Sequence, residues 1–144
     1  MLRVLVLLMT VATLAGCATS IKLSSLPKVE DSSTACDVYI VRKSSLLGAG
    51  LRYKTALDQQ DFMSIASGHY TNIKVDCGSH IITVKYPRQM FAGTAEAPLE
   101  FECTPNKKIY ILMWPAVEVG LAVLSEEEGE KLVQESKHFD MGKN

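Results

Sequence analysis

The chain predicts a mainly β fold: an antiparallel β-sandwich of about seven strands with one short C-terminal helix, preceded by a signal peptide and a flexible tether. Three observations carry this. From Asp37 onward, apolar and polar residues alternate in short runs with a period of two, the repeat of a half-buried strand. Turn-forming residues separate those runs at close spacing. Helical signals are confined to one stretch that begins at Ser125.

Taken in order, DVYIVR (37–42) opens the domain. LRYKTALD (51–58) sets Leu51, Tyr53, Thr55 and Leu57 against Arg52, Lys54 and Asp58, so one face is buried. The polar D-Q-Q-D at 58–61 turns the chain into FMSIA, and Ser67-Gly68 turns it again into HYTNIKV. Cys77-Gly78-Ser79 separates that strand from HIITVKY. After a longer loop, LEFEC places Leu99, Phe101 and Cys103 on one face and Glu100 and Glu102 on the other. Thr104-Pro105-Asn106-Lys107 is the next turn, in which Asn106 tolerates a left-handed backbone. KIYILMW is almost wholly apolar, which predicts a central strand covered on both faces. Ser125-Glu126-Glu127-Glu128 has the S-x-x-E form of a capping box, with acids in the first turn where the helix dipole favours them. Glu127 and Lys131 follow at i and i+4, and Leu132, Val133 and Phe139 supply a narrow apolar side. Gly129 is expected to weaken this helix by up to about 1 kcal/mol relative to Ala.

The amino-terminal run has a different logic. Arg3 precedes an apolar stretch from Val4 to Ala12 that only Thr10 interrupts. A mature membrane-spanning helix needs about 20 apolar residues, so this run fits a secretory signal peptide instead. Its end, Leu14-Ala15-Gly16-Cys17, resembles the lipobox of bacterial lipoproteins. That resemblance implies cleavage between Gly16 and Cys17 and lipidation of the Cys17 thiol with a diacylglycerol and an N-acyl chain, several chains giving a stable anchor. In enteric-type sorting, Asp after the Cys retains a lipoprotein at the inner membrane; Ala18 points to the outer membrane, facing the periplasm.

Ala18 to Ala35 is rich in Ser, holds one Pro and shows no sustained period, so it is expected to be a tether. As a flexible coil it would reach roughly 25 Å and let the domain float clear of the membrane. The competing expectation is that IKLSSL forms an edge strand. The organisation is thus residues 1–16 as signal peptide, 17–35 as lipidated Cys and tether, and 36–144 as sandwich with its helix. One folded domain is the expectation for this length.

Charge and motifs narrow the function classes. The 144 residues carry 15 basic and 16 acidic side chains, and loss of Arg3 with the leader makes the balance one unit more negative. Nothing here recruits nucleic acid electrostatically. His69, His80 and His138 fall in no H-E-x-x-H arrangement, and Cys77-x-x-His80 alone is too little for zinc, which wants four ligands. There is no G-x-S-x-G elbow and no Walker-type loop, and Gly48-Ala49-Gly50 lacks the strand-to-helix setting of a nucleotide site. Asp58 and Asp61 bracket a turn where solvated acids are ordinary. The expectation is a non-enzyme without metal or other cofactor.

Gly68-His69-Tyr70, Cys77-Gly78-Ser79-His80, Lys108-Ile109-Tyr110 and the S-E-E-E-G at Ser125 together resemble a family of small bacterial lipoproteins known only as a domain of unknown function. That family is similar in outline to PEGA-like and carboxypeptidase-regulatory-like sandwiches. The resemblance spans residues 37–137 and rests on turn motifs, which specify fold better than activity. Cys77 stands where the family usually has Pro, which suggests a disulfide particular to this chain. Asn106 stands near its usual Gly.

An oxidising envelope pairs thiols. With Cys17 given to lipid, Cys36, Cys77 and Cys103 remain and one is left over. Strand parity extends Thr71, Ile73 and Val75 to Cys77, and Leu99 and Phe101 to Cys103. Antiparallel pairing of HIITVKY with LEFEC would bring the two together, so Cys77 to Cys103 is the expected bond among the three possible pairs. Three reduced, buried thiols are the alternative.

Binding remains as function. The loop PRQMFAGTAEA (87–97) is longer than a hairpin needs and holds Met90 and Phe91 where solvent is expected. SSLLGAG (44–50) offers Leu46 and Leu47 as a second apolar patch. Either could touch protein or lipid, or fold back as a cover. The expectation is therefore a membrane-anchored, non-catalytic accessory module that binds another envelope protein through Met90, Phe91, Leu46 and Leu47. The alternatives are an immunity lipoprotein that neutralises a toxin or phage, and an envelope hydrolase using His69, His80 or Asp58.

Overall fold

The structure, a computed structural model, describes residues 18–88, 93–116 and 118–142. It is a β-sandwich of two five-stranded sheets with one helix. The strands are β1 (Ile21–Lys22), β2 (Cys36–Arg42), β3 (Arg52–Leu57), β4 (Gln60–Ala66), β5 (His69–Val75), β6 (Gly78–Pro87), β7 (Thr94–Cys103), β8 (Lys108–Trp114), β9 (Gly120–Leu124) and β10 (Lys137–His138). Helix α1 is Glu126–Gln134. The first sheet runs β1-β4-β3-β6-β7 and is antiparallel throughout. The second runs β10-β5-β2-β8-β9, in which β2 lies parallel to β8 and β10 parallel to β5. All seven expected strands are present; β1 is an edge strand at the start of IKLSSL, as the competing expectation had it, β9 and β10 are additions, and the second sheet is mixed rather than antiparallel.

Alternation decides what lies between the sheets. Val38 and Ile40 from β2, Tyr53 and Leu57 from β3, Ile82 and Val84 from β6, and Ile109, Ile111 and Met113 from β8 meet in one core. In β4 the alternation breaks. Thr55 faces Met63 while Ala56 faces Asp61, so Phe62 is an extra residue in a β-bulge. Phe62 and Met63 consequently both enter the core.

Two turns impose their own backbone. Asp58 and Gln59 both have positive φ, as a two-residue hairpin loop matched to strand twist requires, and Asn106 takes the left-handed conformation expected of it. Asp58 Oδ1 accepts a hydrogen bond from Ile81 N, and its Oδ2 lies 2.7 Å from His80 Nδ1. These residues tie the β3–β4 turn to β6.

The first part of the segment expected to be a flexible tether, from Thr19 to Ser24, lies along the first sheet instead. Ile21 and Lys22 pair with Ser64 and Met63, and the carbonyl of the bulged Phe62 accepts from both Leu23 N and Ser24 N. Leu26 packs on the core and Ala35 is buried. The edge of β4 had backbone groups to offer, and a Ser-rich chain with Ile21 and Leu26 at the right places satisfies them.

The disulfide also differs from expectation. It joins Cys36 of β2 to Cys103 of β7, with 5.8 Å between Cα atoms, and so links the two sheets. Cys77 is exposed with a free thiol that approaches the Thr34 carbonyl. Strand β5 ends at Val75, so the two-residue parity stops before Cys77. Cys103 does lie opposite Gly78 in register, but its side chain points inward, where Cys36 faces it across the core.

Helix α1 begins as its sequence indicates: Ser125 Oγ accepts from Glu128 N, and Glu128 reaches back to Ser125 N. The helix lies over β8 and β2, where Tyr110 stacks on Tyr39 with ring centroids 4.8 Å apart. Gly129 has a different meaning from the one expected. It is the buried residue of the helix, and a Cβ there would sit 2.1 Å from the Tyr110 ring. Glycine allows the helix to approach this closely. Lys108 of β8 reaches both Glu126 and Glu130, and its hydrogen bond to Glu130 raises the ammonium pKa. Phe139 lies beyond the helix and packs on the core as the chain returns beside β5.

Candidate functional site at the loop end of the sandwich

The topology gathers at one end the connections 43–51 between β2 and β3 and 67–68 between β4 and β5, together with Arg88 and Gly93 beside β6 and β7 and Pro115 and Val119 beside β8 and β9. Thr19 arrives at the same end, held by Arg52 Nε, which donates to the Thr19 carbonyl at 2.6 Å. Ser20 Oγ accepts from Ala66 N. The disulfide, Cys77 and the turn at Asp58 lie at the opposite end.

One buried cation shapes the 43–51 connection. Inward parity along β2 runs Cys36, Val38, Ile40, Arg42, so the last residue of the strand puts a guanidinium into the core. Arg42 is fully buried. Its Nη1 donates to the carbonyls of Leu51 and Ile65 at 2.7 and 2.8 Å, its Nη2 donates to Gly48 at 2.8 Å, and its Cζ lies 3.6 Å from the centre of the Tyr53 ring. Among the described residues no carboxylate meets it. Burial lowers its pKa, yet an arginine starts so high that it stays charged. The charge is carried by carbonyl dipoles and the face of a tyrosine ring, which fixes the loop from beneath.

The rest of the loop is equally determined. Gly48 has φ of +69°, and a Cβ there would sit 3.3 Å from Tyr53 Oη, so glycine is needed for both handedness and space. Ser45 N donates to Ser67 Oγ, and Ser67 Oγ donates to the Ser45 carbonyl. Leu47 N bonds to Ser45 Oγ, and Gly68 N to the Arg42 carbonyl. On this scaffold Leu46 is 99% exposed and Leu47 50% exposed. The two leucines expected as contacts do not fold back. Met90 and Phe91, together with Gly16 and Cys17, lie outside the described residues; the ends of the loop that carries Met90 and Phe91 are closed by the Arg88 N to Gly93 O hydrogen bond.

Two clefts flank the leucine loop. One of about 740 Å³ is lined by Ala18, Thr19, Leu46, Gly68, His69 and Lys137, among others. The other, of about 550 Å³, lies between Lys43 and Ser45 on one side and Leu112, Trp114 and Pro115 on the other. Trp114 lies against Gly120, where a Cβ would be 2.1 Å away, so it forms a rim on the outer face of the second sheet. Tyr110 is covered by α1 while Leu112 and Trp114 stay partly open, so β8 is covered on both faces over only part of its length.

The remaining candidates are dispersed. His69 borders the first cleft, its Nδ1 3.2 Å from the Ser67 carbonyl. His80 lies at the far end with both ring nitrogens against oxygens, those of Asp58 and the Asp76 carbonyl. Asp61 pairs with Lys85 and Lys54. Among the described residues no group of three or more His, Cys, Asp or Glu side chains is placed to hold a metal ion. The residue that sequence reasoning missed is Arg42, and the signal was there: Val38 and Ile40 point inward, so Arg42 must as well. No family model and no curated protein matches this chain.

Proposed function

We propose that this protein is a lipid-anchored accessory module of the bacterial cell envelope that works by surface contact rather than by catalysis. The carrying observation is Leu46, an almost fully exposed leucine on a loop whose conformation is fixed by a buried guanidinium. Loops on rigid scaffolds commonly carry function, and the adjacent exposed Leu46 and Leu47 on such a loop support a contact surface. The lipobox-like Leu14-Ala15-Gly16-Cys17 supports lipidation at Cys17, Ala18 supports the outer membrane, and an inter-sheet disulfide is consistent with an oxidising compartment. The turn motifs and the sandwich are compatible with a PEGA-like lipoprotein domain.

Mass analysis of the amino-terminal peptide from purified membranes tests the reading. A peptide that starts at Cys17 and carries acyl chains is the expected result. Full-length or unlipidated protein in the soluble fraction would refute it.

A further inference from the structure

We infer that the loop end of the sandwich rests on the lipid surface, with Leu46 and Leu47 dipping into the interface and the disulfide end pointing away. The inference deepens the anchored reading and rests on it. Its first ground is the length of the leash. Had residues 18–35 been a free coil, the domain would reach roughly 25 Å from its anchor. In the structure the chain is held from Thr19 onward, by Arg52 at the Thr19 carbonyl, by Ala66 N at Ser20 Oγ, and by the β1–β4 ladder. Only Ala18 separates the held chain from Cys17, and two extended residues span at most about 7 Å. A lipidated Cys17 therefore puts this end of the domain at the headgroups.

The second ground is what that end presents. Ala18 and Leu46 line the same cleft, so the exposed leucine lies beside the point where the anchor leaves. Interfacial apolar side chains bury about 5–10 Å into the headgroup and acyl boundary, a depth that a side chain on a protruding loop can reach. Ile21, 42% exposed on β1, stands just below.

Charge is the third ground. Lys43, Arg52, Arg88 and Lys137 are exposed around this end, against Glu118 and Glu135. The opposite end exposes Glu30, Asp31, Asp58, Glu102 and Glu126 against Lys28, Lys107 and Lys108. A basic rim around exposed leucines suits an anionic lipid surface, and the end with the acidic excess is directed away from it. A protein partner then meets the sides of the sandwich or the disulfide end.

The test places a photoreactive phenylalanine analogue at Leu46 and, separately, at Asn106 of the opposite end, in the full chain in intact cells. The N-terminal peptide is analysed from the same sample. A lipidated Cys17 with phospholipid or glycolipid adducts several-fold more abundant at Leu46 than at Asn106 is expected. With the probe at Leu47 instead, Leu46→Asp should lower the lipid adduct several-fold, and this exposed position does not endanger folding. Equal lipid labelling at the two ends, a protein adduct in place of lipid at Leu46, or no effect of Leu46→Asp would overturn the inference while leaving the anchored reading intact. An unmodified Cys17 would overturn the anchored reading itself.

Discussion

The two ends of the sandwich are locked by different means. At one end a covalent bond between Cys36 and Cys103 closes the sheets on each other, and short turns at Asp58 and Asn106 leave little loop. At the other end a buried arginine does the fastening, by spreading its donors over Leu51, Ile65 and Gly48. The disulfide acts mainly by restricting the unfolded chain. Arg42 acts in the folded state alone, by satisfying carbonyls that the loop could not otherwise bury. One end is thus built for stability, the other to hold an exposed apolar loop in a defined shape.

The largest expected effect comes from that arginine. Arg42→Met keeps much of the volume but leaves the Ile65 carbonyl buried without its donor and frees the loop. A loss of about 3 kcal/mol or more is expected in urea unfolding, together with faster protease cleavage within 43–51. Cleavage at the wild-type rate would remove the contrast between the ends. Replacing Cys36 and Cys103 together by Ala should cost about 2–5 kcal/mol without exposing the 43–51 loop, read by the same two measurements. Full alkylation of Cys36 without reductant would contradict the inter-sheet bond, whereas Cys77 should label readily.

Gly129→Ala probes the region between the ends. The added methyl meets the Tyr110 ring, and overpacking of about 1–3 kcal/mol outweighs the gain in helix propensity of up to about 1. A higher Tm than wild type would show that the helix does not sit so close. Ser125→Ala removes the cap and should cost about 1 kcal/mol.

The smallest effect is electrostatic. The Lys85 hydrogen bond holds the Asp61 carboxyl below its ordinary value, so on acidification the unfolded chain takes up this proton first. The pair's contribution is present at neutral pH and is lost as pH falls below the ordinary carboxylate range, through the lowered folded value. Asp61→Asn should flatten the acid limb of the stability curve slightly, since the group is partly exposed.

Much of this fold was legible in the residues. Tyr53, Thr55 and Leu57 alternate with Arg52 and Lys54, and all three are buried; Leu99, Phe101 and Cys103 face inward and Glu100 and Glu102 outward. The capping box at Ser125 formed as written, because its hydrogen bonds span four residues and need no partner element. The sequence marks Leu46 and Leu47 as an apolar patch, but the loop that exposes them is held by Arg42, a residue whose burial contradicts its usual place in water.

What the sequence determined by itself is local: strand faces, turn positions and the helix start. Each follows from a repeat of two residues or from a side chain reaching its own backbone. Only the tertiary structure decided which strands neighbour one another, and hence that Cys36 rather than Cys77 meets Cys103, that β2 lies parallel to β8, and that Gly129 serves Tyr110. It also decided that residues 20–24 dock on β4, where the carbonyl of the bulged Phe62 accepts from Leu23 N and Ser24 N. Those outcomes depend on contacts between residues tens of positions apart, and no local pattern encodes which distant surface a strand edge or an inward side chain will find.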